Sequence, residues 1–371
     1  VTGTISKNRR IAAERGAQTE LPMSVFNHPE FDAHEIVAFH HDRHTGLSAI
    51  IAVHNTRLGH GLGGCRMYPY ASDEAALTDV LRLSRGMTYK AALAGLKQGG
   101  GKSVIIGDPR AAKTPEMMRA MGHFVETLGG KYVVAEDSGT NVADIHLMAE
   151  HTRHVGGLAD AAATAAGRSG DPSPATALGV FYGIQAAVKH KLGRDDLKGL
   201  RVAIQGVGNV GFRLAGHLHA AGAQLWVTDS YAPAVEACIA AYGAQPVVME
   251  AIYGLDVDVF APCALGAVLD DLSIPQLKAT IVAGAANNQL SARYHGQSLL
   301  DRGVLYAPDY VINAGGIIDI YYEGANYDWS VVDAHLHRIG DTLTRVFECS
   351  DAEGAPTGVI ADRMAEEIFA G

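Results

Sequence analysis

Apolar and polar positions change period several times along this chain. Residues 35–55 hold two runs of alternating apolar residues around His40-His41-Asp42-Arg43-His44-Thr45-Gly46, which predicts a β-hairpin with an exposed polar tip. Ser72-Asp73-Glu74 supplies a capping hydroxyl and two first-turn acids, and Leu77, Val80 and Leu81 follow at helical spacing. A helix therefore starts there and carries Lys90 near its end. Gly99-Gly100-Gly101 reads as a break, followed by Lys102-Ser103 and a strand over 104–106. A helix is expected over 115–128 and a strand over 132–135 that delivers Glu136-Asp137-Ser138-Gly139-Thr140. Alanine and glycine dominate 158–170, a surface connection and domain boundary, before Asp171-Pro-Ser-Pro and a long helix over 175–191.

The next segments follow another order. An apolar run at 200–205 leads into Gly206-Val207-Gly208-Asn209-Val210-Gly211, an amphipathic stretch at 212–221, and a second apolar run at 224–228 closed by Asp229. Strand, glycine turn, helix and strand within about thirty residues make a dinucleotide-binding fingerprint. The first glycine makes the tight turn, the second admits a pyrophosphate to the backbone, the third lets helix pack on strand, and the helix N-terminus holds the phosphates. An acid at the end of the second strand accepts from a free ribose 2′-hydroxyl and repels a 2′-phosphate, so Asp229 selects NAD over NADP. The competing reading makes Asp229 the start of a solvated Asp-Ser-Tyr-Ala-Pro turn.

Composition narrows the partners. With 371 residues, 48% hydrophobic and 19% charged, the chain is long enough for two cored domains. A net charge of -10 and no lysine or arginine block argue against nucleic acid or an anionic membrane and favour small molecules. No apolar run reaches the roughly eighteen residues of a membrane span, and no signal-peptide core is visible, so a cytoplasmic protein is expected. Cys65, Cys238, Cys263 and Cys349 form neither a CxxC pair nor a disulfide pattern, which fits a reducing compartment. No metal is expected: the histidines at 40, 41 and 44 lie on one loop without a second cluster to complete a shell. Residues 1–22 are polar and unpatterned, an extension ending at Leu-Pro-Met23.

The glycine-lysine-serine run at 99–103 is not a P-loop. Position 96 is leucine, Gly95 is one residue out of register, and the apolar strand follows the lysine instead of preceding the glycines. Lys102 then has two readings: a surface lysine in a turn, or an amine beside side-chain-free backbone, where substrate approaches closely enough for acid–base work.

Six motifs carry a family resemblance. Leu62-Gly63-Gly64-Cys65-Arg66-Met67, Arg85-Gly86-Met87-Thr88-Tyr89-Lys90, Gly99-Gly100-Gly101-Lys102, Ala135-Glu136-Asp137, Ala261-Pro262-Cys263-Ala264-Leu265-Gly266 and the run from Tyr306-Ala307-Pro308-Asp309 to Asn313-Ala314-Gly315-Gly316 occur in order. Together they resemble the amino acid dehydrogenases of the Glu/Leu/Phe/Val family, above all its leucine-acting members, from about Met23 to the C-terminus. The resemblance implies an α/β protein of two domains: 23–165 for substrate binding and oligomerisation, 166–335 a Rossmann-type NAD-binding domain, and 336–371 helices returning to the first. An active-site cleft lies between them. It further implies a homo-oligomer, often an octamer, and reversible NAD-dependent deamination of a branched-chain L-amino acid to its 2-oxo acid and ammonia.

By the same similarity Lys90 holds the substrate carboxylate, Lys102 is the catalytic lysine that polarises the reacting centre and activates water, and Asp137 shuttles protons to and from the amine. Thr176 and Asn288 lie toward the nicotinamide, Cys263 and Ala264 toward the ribose. Thr176 also reads as a stabiliser of the helix start after Pro174, and Asn288 as a turn residue ending a strand. The side-chain pocket is walled at Leu62 with its neighbour Gly63, and at Met87, Ala135, Ile317 and Ile320, all uncharged. A glutamate enzyme needs a cation there, because a buried unpaired carboxylate is prohibitive. Ile317 and Ile320 stand where valines are common and narrow the pocket toward aliphatic substrates. Departures are His60-Gly61 in place of proline-alanine, Cys65 in place of threonine, the long 158–170 connection, and Asp319, expected to face away from the two isoleucines. Phenylalanine is the runner-up substrate, and a catalytically silent NAD-binding regulator is the alternative from another class.

Overall fold

The computed structural model describes residues 24–158, 171–264, 266–324 and 327–370. The extension at 1–22 and nearly all of the 158–170 connection lie outside these residues.

The first domain is a five-stranded sheet in the order β1-β2-β4-β3-β5. Strands β1 (Ile36–Asp42) and β2 (Leu47–Asn55) form the antiparallel hairpin expected at 35–55. β4 (Gly99–Ile106) lies antiparallel to β2 and parallel to β3 (Gly61–Tyr68), and β5 (Tyr132–Glu136) lies parallel to β3. Successive residues on a strand face opposite sides. Ile50 accordingly packs with Val80 and Leu81 of α1 (Asp73–Leu93), while Ile51 packs with Met118 and Met121 of α2 (Pro115–Glu126) and Ile145 of α3 (Val142–Ala149). Ser72 caps α1 as its sequence predicts, its Oγ accepting the Ala75 N–H at 3.1 Å.

The glycine run at 99–101 is not a break; it is the first part of β4. The reason is close packing. A Cβ on Gly100 would stand 2.1 Å from the Thr88 nitrogen of α1, and one on Gly101 would stand 2.5 Å from the Tyr132 ring. Glycine here lets a helix and a neighbouring strand approach nearer than side chains allow. Lys102 is therefore held in a strand and is only 7% exposed, which removes both the flexible backbone and the surface-turn reading.

The second sheet has six parallel strands in the order β11-β10-β9-β6-β7-β8. These are β6 (Arg201–Gln205), β7 (Gln224–Thr228), β8 (Gln245–Pro246), β9 (Val259–Pro262), β10 (Ile281–Val282) and β11 (Leu305–Tyr306). The chain runs outward from β6 to one edge, then from β9 to the other, so the switch point that takes ligands in doubly wound sheets lies between β6 and β9. Helices α4 (Ser173–Leu192), α5 (Asn209–Ala220) and α6 (Ala232–Tyr242) share the core with Val202 and Ile204, whereas Ala203 and Phe260 face the opposite layer.

Beyond α7 (His295–Asp301), two short helices follow, α8 (Asp309–Ile312) and α9 (Gly315–Tyr321). The long α10 (Trp329–Glu353) packs along α4, and α11 (Thr357–Ala370) packs back on α1. There Tyr89 donates to Glu366 at 2.8 Å, and His335 of α10 donates to the Ala94 carbonyl at 2.6 Å. Asp319, expected to turn away from the isoleucines, is buried and accepts from the Tyr327 hydroxyl at 2.6 Å. Among the described residues no helix is long and apolar enough to cross a membrane.

Candidate active site

The tight seating of α1 on β4 has a chemical consequence. It brings Lys90, in the last turn of α1, to the same cavity as Lys102 of β4 and Asp137 of the turn after β5, a cavity of about 340 Å³ between the domains. The Lys102 Nζ is 2.5 Å from Asp137 Oδ2, and the Arg66 Nε of β3 is 3.3 Å from the same oxygen. Arg66 is in turn held by Asp79 of α1 at 3.0 Å. The Asp137 backbone is fixed as well, because its N–H donates to Thr140 Oγ1, whose hydroxyl reaches the Cys65 carbonyl at 2.8 Å.

Charge follows from this packing. Burial alone would raise the Asp137 carboxyl, but the Lys102 and Arg66 cations override it and hold the group at about 2. Burial lowers Lys90 to about 8, with Lys102 pushing the same way against Asp309 and Asp137. A lysine poised near neutrality and a firmly anionic carboxylate thus line one cavity. Such a set can bind a carboxylate and move a proton at an adjacent amine.

The fingerprint has the shape a dinucleotide needs. Gly206 has φ +96° and a Cβ there would meet Ala264 at 2.6 Å, while a Cβ on Gly211 would meet the Gly206 carbonyl at 2.0 Å. At Gly208 nothing lies within 4 Å, which leaves open the space above the N-terminus of α5, where Asn209 and Val210 present their amides. Asp229 follows β7 and accepts the Val207 N–H at 2.8 Å and the Tyr231 N–H at 2.9 Å. Cys263 continues from β9 and bonds Gln205 of β6 at 2.7 Å, so it and Ala264 stand at the switch point beside the glycines. Burial raises the Cys263 thiol to about 12, which leaves it inert as a nucleophile.

The remaining expected residues separate into groups. Thr176, in the first turn of α4, donates to the Pro172 carbonyl at 2.9 Å and lies against Gly316, where a Cβ would come 3.0 Å from its Oγ1. Asn288 has φ +51° and lines the cavity with the lysines, as does Met87. Leu62, Ala135 and Ile320 gather elsewhere, around Gly156 and Gly157: a Cβ on Gly156 would sit 3.3 Å from Ile320 and 3.6 Å from Leu62, and one on Gly157 4.0 Å from Ala135. Ile317 packs against the core of the second domain. Gly63 serves the sheet, since its carbonyl accepts from Tyr132 at 2.7 Å and a Cβ would fall 1.7 Å from the Gly101 oxygen.

Six charged residues that line the cleft, Arg66, Arg82, Arg85, Arg293, Asp309 and Asp362, had no assigned role in the sequence reading. Arg66 and Asp309 each stand inside a motif otherwise made of glycines and uncharged side chains. A charge inside such a motif is the signal that could have found them. Among the described residues no cluster of His, Cys, Asp and Glu could hold a metal ion.

Known proteins resemble this chain along nearly its whole length. Residues 33–154 match the family pattern described as Glu/Leu/Phe/Val dehydrogenase, dimerisation domain. Residues 167–237 and 228–348 match Glutamate/Leucine/Phenylalanine/Valine dehydrogenase. A leucine dehydrogenase of Bacillus cereus is 48% identical over 350 residues, 94% of each chain. A phenylalanine dehydrogenase of Bacillus thermotolerans is 47% identical, covering 90% of this chain and 88% of its own. The crystal structure of L-tryptophan dehydrogenase from Nostoc punctiforme superposes with a TM-score of 0.79 at 44% identity, covering 91% of this chain and 96% of the other.

Proposed function

Because the chain belongs to the Glu/Leu/Phe/Val dehydrogenase family and is an amino acid dehydrogenase, we propose that it deaminates branched-chain L-amino acids with NAD. The observation that carries this reading is the Lys102–Asp137 pair, 2.5 Å apart, in one cavity with Lys90. In this reading 23–165 binds substrate and self-associates, as the matched dimerisation domain suggests, with an octamer as the expected assembly. Residues 166–335 bind NAD, and 336–371 return to the first domain.

The glycine turn, the open face at Gly208 and the acid at Asp229 fit a dinucleotide with a free 2′-hydroxyl. When bound, NAD supplies the hydride acceptor for the substrate Cα. Lys90 holds the substrate carboxylate as an ammonium. Asp137 takes a proton from the substrate ammonium, because only the neutral amine can release Cα's hydride. Lys102 then activates water, taking the proton it sheds on attack at the iminium carbon; the proton held at Asp137 passes to the nitrogen, and the new hydroxyl gives its proton back to Asp137 as C=O forms, the C–N bond breaks and ammonia departs. Closure of the cleft excludes bulk water from the iminium until the positioned water attacks.

Leu62, Ala135 and Ile320 converge around Gly156 and Gly157, where the Glu323 carboxylate accepts the Gly157 N–H at 2.6 Å, and these three apolar side chains favour an aliphatic substrate over one with an anionic side chain. An apolar pocket separates substrates one methylene apart by only roughly 1–3 kcal/mol, so leucine, valine and isoleucine all react. A second reading, an aromatic amino acid, is supported by the phenylalanine and tryptophan enzymes at nearly the same identity. The deciding experiment is NADH formation at alkaline pH with a panel of aliphatic and aromatic L-amino acids, and NADP in a parallel series. Highest kcat/KM with a branched-chain substrate and NAD is expected. A chain that binds NAD yet reduces it with no amino acid would be a silent regulator instead.

A further inference from the structure

Asp309 opens α8 directly after β11 and faces the cavity from the second domain, opposite Lys90 of the first. One of its oxygens, Oδ2, accepts the backbone N–H of Asn288; the other accepts the Tyr306 hydroxyl at 3.1 Å. Asn288 has φ +51°, in the left-handed region that asparagine enters more readily than other non-glycine residues. The Asp309 carboxylate is what holds that amide.

Several other charges around the cavity have partners of their own, Arg85 of α1 holding Glu30 at 3.1 Å among them, and Arg82 of α1 and Arg293 line the cavity too. Asp137, from the turn after β5, is shared by Lys102 and Arg66. From α11, Glu366 and Asp362 accept from the hydroxyls of Tyr89 and Tyr310, and His54 of β2 bonds Thr88. Lys102 of β4 adds a like charge, and Asp309 is the leading counter-charge acting on Lys90.

We propose that Asp309 is a positioning residue for deamination: from the second domain it fixes the Asn288 turn and presents its negative charge to the Lys90 ammonium. The substrate-carboxylate lysine and the cofactor-side turn are thereby tied to one group across the cleft. This rests on the reading of the chain as an amino acid dehydrogenase in which Lys90 holds the substrate carboxylate. Loss of that charge leaves Lys90 facing Lys102 with less compensation, so the ammonium is lost at lower pH and carboxylate binding with it.

The test is steady-state kinetics of the full chain and its Asp309→Asn and Asp309→Glu variants across pH 7 to 10.5, with the amino acid the wild type uses best. For Asp309→Asn the alkaline limb of kcat/KM is expected to move down by about one pH unit, with KM for the amino acid raised roughly tenfold and kcat much less affected. Asp309→Glu keeps the charge and is expected to keep the limb at its wild-type pH, which also serves if the asparagine variant does not fold. An unmoved limb in Asp309→Asn, or a limb displaced equally in Asp309→Glu, overturns the proposal while the wild-type activity stands. A wild type that forms no NADH with any amino acid overturns the functional reading, and this proposal with it.

Discussion

The Lys102 ammonium of β4 and the Asp137 carboxylate of the turn after β5 stand 2.5 Å apart in the cleft between the domains. Neither β4 nor β5 pairs directly with the other in register; β3, lying between them, sets the spacing. Glycines at 63 and 64 of β3 allow it, since a Cβ on Gly64 would meet the Glu136 oxygen at 2.5 Å.

Lys102→Ala removes the partner of Asp137 and, in the proposed mechanism, the group that acts on the reacting centre. Turnover should fall by on the order of 10²–10⁴, the range typical of a lost acid–base group. The fingerprint lies at the other sheet, so NADH binding, followed by its fluorescence, should stay within about threefold of wild type. A variant with near-wild-type kcat would remove Lys102 from the chemistry.

Asp137 also couples the site to acid stability. Its carboxyl is held at about 2 by Lys102 and Arg66 despite burial, below the value of about 3.9 for an unfolded aspartate. A depressed carboxyl contributes stability that is present above the unfolded value and lost as pH falls toward the folded one. The expected contribution is about 2 kcal/mol, fading from roughly pH 5 to pH 2. Urea midpoints at pH 6 and pH 3 measure it. In Asp137→Asn the part of the acid loss due to this group should vanish; an unchanged difference between the two midpoints would show that the pairing carries no such linkage.

What was legible in the chain depended on range. The hairpin at 35–55, the Ser72 cap and the strand–glycine–helix order at 200–228 are local patterns, and the structure contains all three. The glycines at 99–101 were misread because their reason is not local: it is the backbone of α1 pressing on β4 and the Tyr132 ring beside it. Arg66 and Asp309 were passed over for the same cause. Their partners, Asp79 and Asp137 for one and Asn288 and Tyr306 for the other, come together only through sheet order and cleft geometry. Local periodicity places a strand at 104–106; it cannot say that the strand takes in Lys102, or which carboxylate meets that lysine.

Gly100→Ala tests the seating of α1. The added Cβ would lie 2.1 Å from the Thr88 nitrogen and 2.4 Å from the Ser84 carbonyl, backbone atoms that cannot rotate aside. The helix must lift, at a cost of about 1–3 kcal/mol for overpacking. Because Lys90 is two residues beyond Thr88, the lift should also raise KM for the amino acid. A lowered thermal midpoint with unchanged KM would separate the packing from the position of Lys90.

Gly156→Ala probes the apolar wall. At this glycine an added methyl would stand 3.3 Å from Ile320 Cγ2, 3.6 Å from Leu62 Cδ1 and 3.6 Å from Val133 Cγ1. These are the ends of flexible side chains, so the fold can absorb the methyl by small rotations, unlike the backbone clash at Gly100. The volume is then taken from the space that Leu62, Ala135 and Ile320 leave to a substrate side chain. Leucine should suffer more than valine, which is one methylene shorter, by roughly 1–3 kcal/mol in kcat/KM, or about 5- to 150-fold. Phenylalanine should decline at least as much as leucine. Measuring kcat/KM for valine, leucine and phenylalanine in wild type and variant decides it. An equal loss for all three would mean that Gly156 acts through stability alone and that Leu62, Ala135 and Ile320 do not wall the pocket.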